Sequence, residues 1–312
     1  MNDEQRTGNR AADLWHTAQE VFLRVAATGL VPAWLFQRAR PDRETLPARA
    51  GPLELEIVSH CWNYDFLLAY QLSSLVNHPP ANLTVRMTVF YTPDDRRTAE
   101  LLEFFSGQSV PGVTWNWQPL DKTMLLRRSI GRNLAARRTT ADWVWFTDCD
   151  VIFHRGCLDT LAEQLQGRRD PLVYPREERS TALLSRVDPM LLAAARKPGI
   201  VDIETSRFVR RKLTQATGPL QITHGDVARA FGYCDALAVY QKPTNRWRKC
   251  YEDRAFRWLL RTPGVGIDVP GVYRIRHASK GRYESNRALG FIRGSSRRIR
   301  SWASDRVHSG RR

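Results

Sequence analysis

From Pro52 onward the pattern of apolar and polar positions switches repeatedly between two periods. "LELEIVSH" and "LTVRMTVFY" read as strands, the second alternating cleanly at Leu83, Val85, Met87 and Val89. Each is followed by a stretch with helical spacing: "FLLAYQLSSLVNH", stopped by Pro79 and Pro80, and "RRTAELLEFFSG", entered through the turn "TPDD". "GVTWNWQPL" predicts a third strand, "DKTMLLRRSIGRNLAARRTTA" one basic helix, "WVWFTD" a fourth strand and "GCLDTLAEQLQG" another helix. Repeated strand-helix alternation predicts an α/β domain whose parallel sheet is covered on both faces.

The flanks read differently. Leu14, Trp15, Ala18, Val21, Phe22, Val25 and Ala26 recur at helical spacing, with Asp13, Gln19, Glu20 and Arg24 elsewhere on the wheel. After Gly29 come the apolar "LVPAWLF" and a polar linker, "QRARPDR". Such a helix is expected to pack onto its own domain, the alternative being to lie in a membrane interface. The stretch 176–218 predicts one helix and an irregular basic segment, and "RKCYEDRAFRWLLRTPG" a helix ending near Pro263 and Gly264. "GIDVPGVYRIRHAS" predicts a hairpin about Pro270 and Gly271. The chain therefore divides into 1–51, 52–175, 176–277 and 278–312.

Composition narrows the classes. At 312 residues and 42% hydrophobic, the chain can bury one large core or two coupled lobes. Its five cysteines are odd in number and form no CxxC pair, which argues against a disulfide framework and a zinc ribbon and suits a reducing compartment. No apolar run reaches the roughly 18 to 20 residues of a membrane span, and "MNDEQRTGNR" lacks a signal-peptide profile, so a cytoplasmic location is expected. The net charge of +16 is uneven. From Arg274 to the end there are 12 Lys/Arg against Glu284 and Asp305, which places +10 of it in the last 39 residues. That tail is either a solvated terminus or a contact for an anionic membrane on the inner face. Nucleic acid ranks below both, because no basic stripe interleaved with aromatics continues into the body.

The chemistry concentrates where the fourth strand ends. In "ADWVWFTDCDVIFHRGC" a buried run gives way to Asp148 and Asp150, one residue apart. Open parallel sheets bind ligands at the carboxyl ends of their strands. A carboxylate pair there suits a hard divalent cation such as Mg²⁺ or Mn²⁺, which leaves coordination sites open for substrate phosphate. Phosphatases of the haloacid-dehalogenase type also carry Asp-x-Asp, and "DCDVI" is close to their signature. Theirs lies on the first strand, however, and here three strands precede it. Glu252 and Asp253 open the later helix, where the helix dipole alone would favour acids by about 0.3 to 1 kcal/mol each.

"LLRRSIGRNLAARRTTADWVWFTDCDVI" resembles the basic-helix and Asp-x-Asp segment of GT-A glycosyltransferases, particularly those like family 2. "LEIVSHCWNYDFLLAYQLSSL" resembles the family's opening strand and turn, so the resemblance covers residues 53 to 157. It implies a GT-A type, Rossmann-like α/β/α sandwich with a mostly parallel central sheet. Residues 52–175 would bind the nucleotide-diphospho-sugar donor, and 176–277 a glycan or other hydroxyl acceptor. Ser59, His60, Cys61, Asp94 and Asp95 would lie near the base and ribose, and Arg132 matches the arginine of the basic helix. Asp148 would contact the ribose or the metal, and Asp150 would coordinate Mn²⁺ or Mg²⁺. Glu252 and Asp253 resemble the ED motif of inverting members, which makes Asp253 the general base and Glu252 its neighbour or substitute. His224, Gly225 and Asp226 would border the acceptor, His277 matches a third metal ligand, and Arg274 and Arg276 would neutralise the leaving diphosphate. Two departures stand out: the loop after the second strand lacks the usual DDGS, and Leu134 replaces the glycine after Asn133. The alternative is a non-catalytic sugar-nucleotide-binding module attached by its tail to a membrane or partner.

Overall fold

The strand-helix repeats expected over 53–165 all form. A computed structural model describes residues 18–37, 40–245 and 251–278. Leu14, Trp15, Cys250 and nearly all of the basic tail lie outside the described residues. The elements run β1 (Leu53–His60), α1 (Asp65–Asn77), β2 (Leu83–Tyr91), α2 (Arg96–Ser106), β3 (Val113–Pro119), α3 (Lys122–Leu125), α4 (Arg128–Arg138) and β4 (Trp143–Phe146). Then come β5 (Val151–Phe153), α5 (Cys157–Leu165), β6 (Leu172–Pro175), β7 (Glu177–Thr181), α6 (Pro189–Ala195), β8 (Phe208–Lys212) and β9 (Gln221–His224). The described chain ends with α7 (Gly225–Phe231), α8 (Glu252–Leu259), β10 (Val265–Ile267) and β11 (Val272–Arg274).

Seven strands make the central sheet, in the order β10-β6-β9-β4-β1-β2-β3. β9 alone runs antiparallel to its neighbours β4 and β6, and the other pairings are parallel. This is a Rossmann-like, mostly parallel α/β sandwich, the expected fold class. Alternation along β4 explains why both faces are covered: Trp143 and Trp145 enter one apolar core, Val144 and Phe146 the other. Because β9 comes from the later part of the chain and sits between β4 and β6, residues 52–175 and 176–277 share one sheet.

Three expectations are corrected. The single basic helix is two, α3 and α4. Arg127, between them, leaves helical geometry (φ −107°, ψ 84°), and its guanidinium pairs with Glu20 at 2.8 Å. The hairpin about Pro270 and Gly271 does not form. β10 pairs with β6 in the central sheet, whereas β11 pairs with β5 and β7 in a second, four-stranded sheet of order β5-β11-β7-β8. Gly271 makes that change of sheet at φ +81°, where an added Cβ would meet Cys157 Cβ and the His154 carbonyl at 3.0 Å. The segment 176–218 holds β7 and β8 as well as its helix.

Candidate active site

Fully buried β4 delivers Thr147, Asp148, Cys149 and Asp150 to the carboxyl end of the sheet. There a cleft is lined by Asp148, Asp150, Arg128, His60, Trp62 and His277, among others. β4 is the fourth strand of the chain, as the argument against a phosphatase requires.

Each aspartate is engaged by arginine. Asp148 Oδ1 pairs with Arg128 Nη1 at 2.5 Å and with Arg132 Nη2 at 3.2 Å. Asp150 Oδ2 lies 3.6 Å from Arg274 Nε, and Arg274 also reaches Glu178 at 3.4 Å. Arg128 Nη2 continues to Glu252 Oε1 at 2.9 Å. Among the described residues these ion pairs link four carboxylates (Asp148, Asp150, Glu178, Glu252) with the guanidinium groups of Arg128, Arg132 and Arg274. Burial works against the charge on Arg128, but Asp148 and Glu252 outweigh it and raise its pKa well above the ordinary arginine value. Burial likewise opposes the charge on Arg274, and Asp150 and then Glu178 raise its pKa. The network sets carboxylate oxygens beside cations that stay protonated. It can accept a hard cation on the carboxylates and a diphosphate on the arginines.

The sequence-predicted residues divide by position. His60 lines the cleft, buried and stacked on Phe90 with centroids 5.1 Å apart. Burial, then Arg132 and Arg128, hold its pKa well below 6.5, so it is a neutral imidazole. Helix α4 reaches it only because residue 131 is glycine: a Cβ there would lie 2.3 Å from His60 Nε2. Cys61 also lines the cleft, with its Sγ 3.3 Å from Thr98 Oγ1. Ser59 is fully buried within β1 and is not among the lining residues. Asp95 is buried as the cap of α2, accepting from Thr98 Oγ1 at 2.7 Å and from the Asn63 amide at 2.6 Å. Asp94 is exposed, and neither acid lines the cleft. Arg132, fully buried beneath the cleft, is oriented by Tyr233 Oη at 2.8 Å and the Thr147 carbonyl at 3.0 Å.

His277 lines the cleft, its ring edge-on to Tyr64 at 5.3 Å. Among the described residues, the three potential metal ligands gathered within 4.8 Å are His78, His154 and Asp202 rather than Asp148, Asp150 and His277. That other cluster sits beyond the far end of α1. Glu252 points into the network through Arg128. Asp253 does not line the cleft: its side chain lies beside Gly218, and its carbonyl accepts from Gln221 Nε2 at 3.0 Å. His224 is buried at the end of β9, paired with Trp143 at the start of β4 and so at the opposite end of that strand from Asp148, edge-on to the Trp143 ring and 3.2 Å from the Pro47 carbonyl, while Asp226 binds Arg229.

Arg128, Trp62 and Glu178 are contributions that sequence reasoning missed. Arg128 had a signal: two arginines at the start of a helix oppose its dipole, so each needs an acidic partner. Glu20 and the pair Asp148 and Glu252 supply them.

No protein-family model and no curated protein matches this chain. Among solved structures, it is similar to the mannosyltransferase PcManGT from Pyrobaculum calidifontis in complex with GDP-Man and Mn²⁺. The match covers 91% of this chain and 76% of that one, at 18% identity and a TM-score of 0.40.

Proposed function

We propose that the chain is a metal-dependent, inverting glycosyltransferase that moves a sugar from a nucleotide-diphospho-sugar to an acceptor hydroxyl. The supporting observation is the cleft at the end of β4, where Asp148 and Asp150 stand among arginines that stay charged. Asp150, with Asp148 and His277, would hold Mn²⁺ or Mg²⁺, since carboxylate oxygens and an imidazole suit these ions. When bound, the cation stabilises the charge that gathers on the leaving diphosphate. Arg128 and Arg274 aim fixed positive charge at the same place. Trp62 offers an apolar face to the nucleotide, and neutral His60 a hydrogen bond. Asp253, although its side chain lies beside Gly218 and not in the cleft lining, is the expected base, with Glu252 its substitute: it takes the proton of the acceptor hydroxyl as that oxygen bonds to the anomeric carbon. The bond from this carbon to the diphosphate breaks, and its electron pair stays on the phosphate oxygen. Glu252 orients Arg128.

A thermal-shift series of nucleoside diphosphates with and without Mn²⁺, joined to a transfer assay, tests this reading. A tight ligand at a hundredfold excess over its dissociation constant should stabilise by about 2.7 kcal/mol. Asp150→Asn should abolish the Mn²⁺-dependent part. Asp253→Asn should keep it while transfer falls by roughly 10² to 10⁴. An unchanged metal-dependent shift in the first variant removes Asp150 from the metal site. Full transfer by the second passes the proton to Glu252 or to the substrate itself.

A further inference from the structure

The amphipathic helix near the N-terminus packs onto the domain, as expected, but buries only part of its apolar side. Two of its polar residues make contacts with the protein: Glu20 pairs with Arg127, and the guanidinium of Arg24, itself exposed, lies 4.6 Å over the Tyr251 ring. Leu23, Ala26 and Ala33 are the buried anchors, set against α8, and Trp258 Nε1 donates to the Val31 carbonyl at 2.8 Å. The other large apolar side chains point to solvent. Phe22 is 51% exposed and Trp34 63%, in company with Val21, Val25, Leu30 and Leu35.

These are six of the eleven exposed large hydrophobics among the described residues, and they fall within 15 positions, so they form a patch and are not scattered singly. The rings of Phe22 and Phe36, 6.4 Å apart, join the helix to the turn that carries Trp34 and Leu35. From Val21 to Gln37 the chain has a single charge, Arg24. The adjoining groove is bordered by Arg254, Arg257 and Arg261.

We propose that this surface seats the protein on an anionic membrane. The aromatic and aliphatic side chains enter the boundary between headgroups and acyl chains, and the arginines meet lipid phosphates. Charge decides the occupant: an apolar patch with a basic border and no acid between Val21 and Gln37 complements a negatively charged lipid surface. The patch also adjoins the cleft. Glu20 holds Arg127, next to the cleft residues Leu126 and Arg128, and Arg24 covers Tyr251, next to Glu252. Docking would hold the cleft near the headgroup layer, where the acceptor would be carried on a lipid. That last step rests on the transferase reading, and the docking does not.

The test is co-sedimentation of the full chain with phosphatidylcholine vesicles, with and without phosphatidylglycerol. The wild type should sediment with the anionic vesicles. The double variant Phe22→Ser, Trp34→Ser should bind at least about tenfold more weakly, because membrane affinity scales with the apolar surface inserted. Its circular dichroism and Tm should match wild type, since both side chains are more than half exposed. Three results overturn the proposal: a wild type that ignores anionic vesicles, a double variant that binds as well as wild type, or a wild-type dimer in ultracentrifugation that the variant converts to monomer. The last would make a second copy of the chain the occupant. Loss of the nucleoside-diphosphate shift with vesicle binding intact would remove the lipid-borne acceptor and the transferase reading, and leave the docking surface.

Discussion

At the scale of single residues, Arg128 joins two parts of the chain that the sequence presents far apart. It holds Asp148, from the end of β4, and Glu252, from the start of α8, whose side chain is only 6% exposed. Arg128→Gln would keep some hydrogen bonding and remove the charge, leaving Glu252 inside the protein without its cation. Losing hydrogen bonds between charged groups typically costs about 1.5 to 3 kcal/mol. Arg128 is 30% exposed, so water recovers part of the loss and about 2 kcal/mol is expected. If Arg128 also meets the donor diphosphate, the same variant should weaken nucleoside-diphosphate binding beyond the effect of lower stability. Urea denaturation and ligand titration on one sample separate the two. A variant that is destabilised but binds normally would restrict Arg128 to holding Glu252. Asp148 and Asp150 were legible because two acids at the end of a buried run are conspicuous. Arg128 was hidden among basic neighbours, since its role depends on a partner more than a hundred residues away.

At the scale of elements, legibility follows periodicity. β1 and β2 and the helices after them carry clean periods, and the structure keeps their boundaries closely. β7 and β8 were missed because "EERST" and "FVRRK" are short and charged, and gain strand geometry only by pairing with each other and with β11. The false hairpin arose because a Pro-Gly turn marks a change of direction without saying which sheet receives the next strand. β1 also carries a polar residue where its neighbours are apolar. Glu56 is 3% exposed, and Thr88 Oγ1 donates to it at 2.6 Å. Burial raises its pKa above 4.5, against the hydrogen bonds that lower it. The folded state therefore holds that proton more tightly than the unfolded chain. The resulting stability is fully present below pH 4.5 and is lost as pH rises through the folded pKa. Glu56→Gln keeps an acceptor for Thr88 and removes the charge, so it should stabilise the protein near pH 7 by about 1 kcal/mol, or about 2 °C in Tm. The gain should shrink in acid. Equal stability of variant and wild type at every pH would show that Glu56 carries no desolvation penalty.

At the scale of the whole molecule, most of the net charge and the exposed apolar patch lie at opposite ends of the sequence. Of the +16, +10 belongs to the segment from Arg274 onward, most of which lies outside the described residues, while the exposed apolar patch belongs to residues 21–35. No described helix is long and apolar enough to cross a membrane. Hydropathy could reveal an amphipathic helix but not which way it would turn. That was settled by Glu20 and Arg24 finding Arg127 and Tyr251 across the fold, contacts with no local signature. The two surface features should differ in their response to salt. Basic residues near anionic lipid contribute up to about 1 kcal/mol each at low salt, an attraction that fades as the Debye length falls from about 10 Å at 0.1 M to about 3 Å at 1 M. Insertion of Phe22 and Trp34 is driven by removing apolar surface from water, which salt does not screen. Wild-type protein on phosphatidylglycerol-containing vesicles should therefore lose part of its binding between 0.1 and 1 M salt and keep a plateau. The Phe22→Ser, Trp34→Ser variant should lose nearly all of its binding over the same range. If the two curves fall together to zero, the attraction comes from the basic tail alone and the patch adds nothing to it.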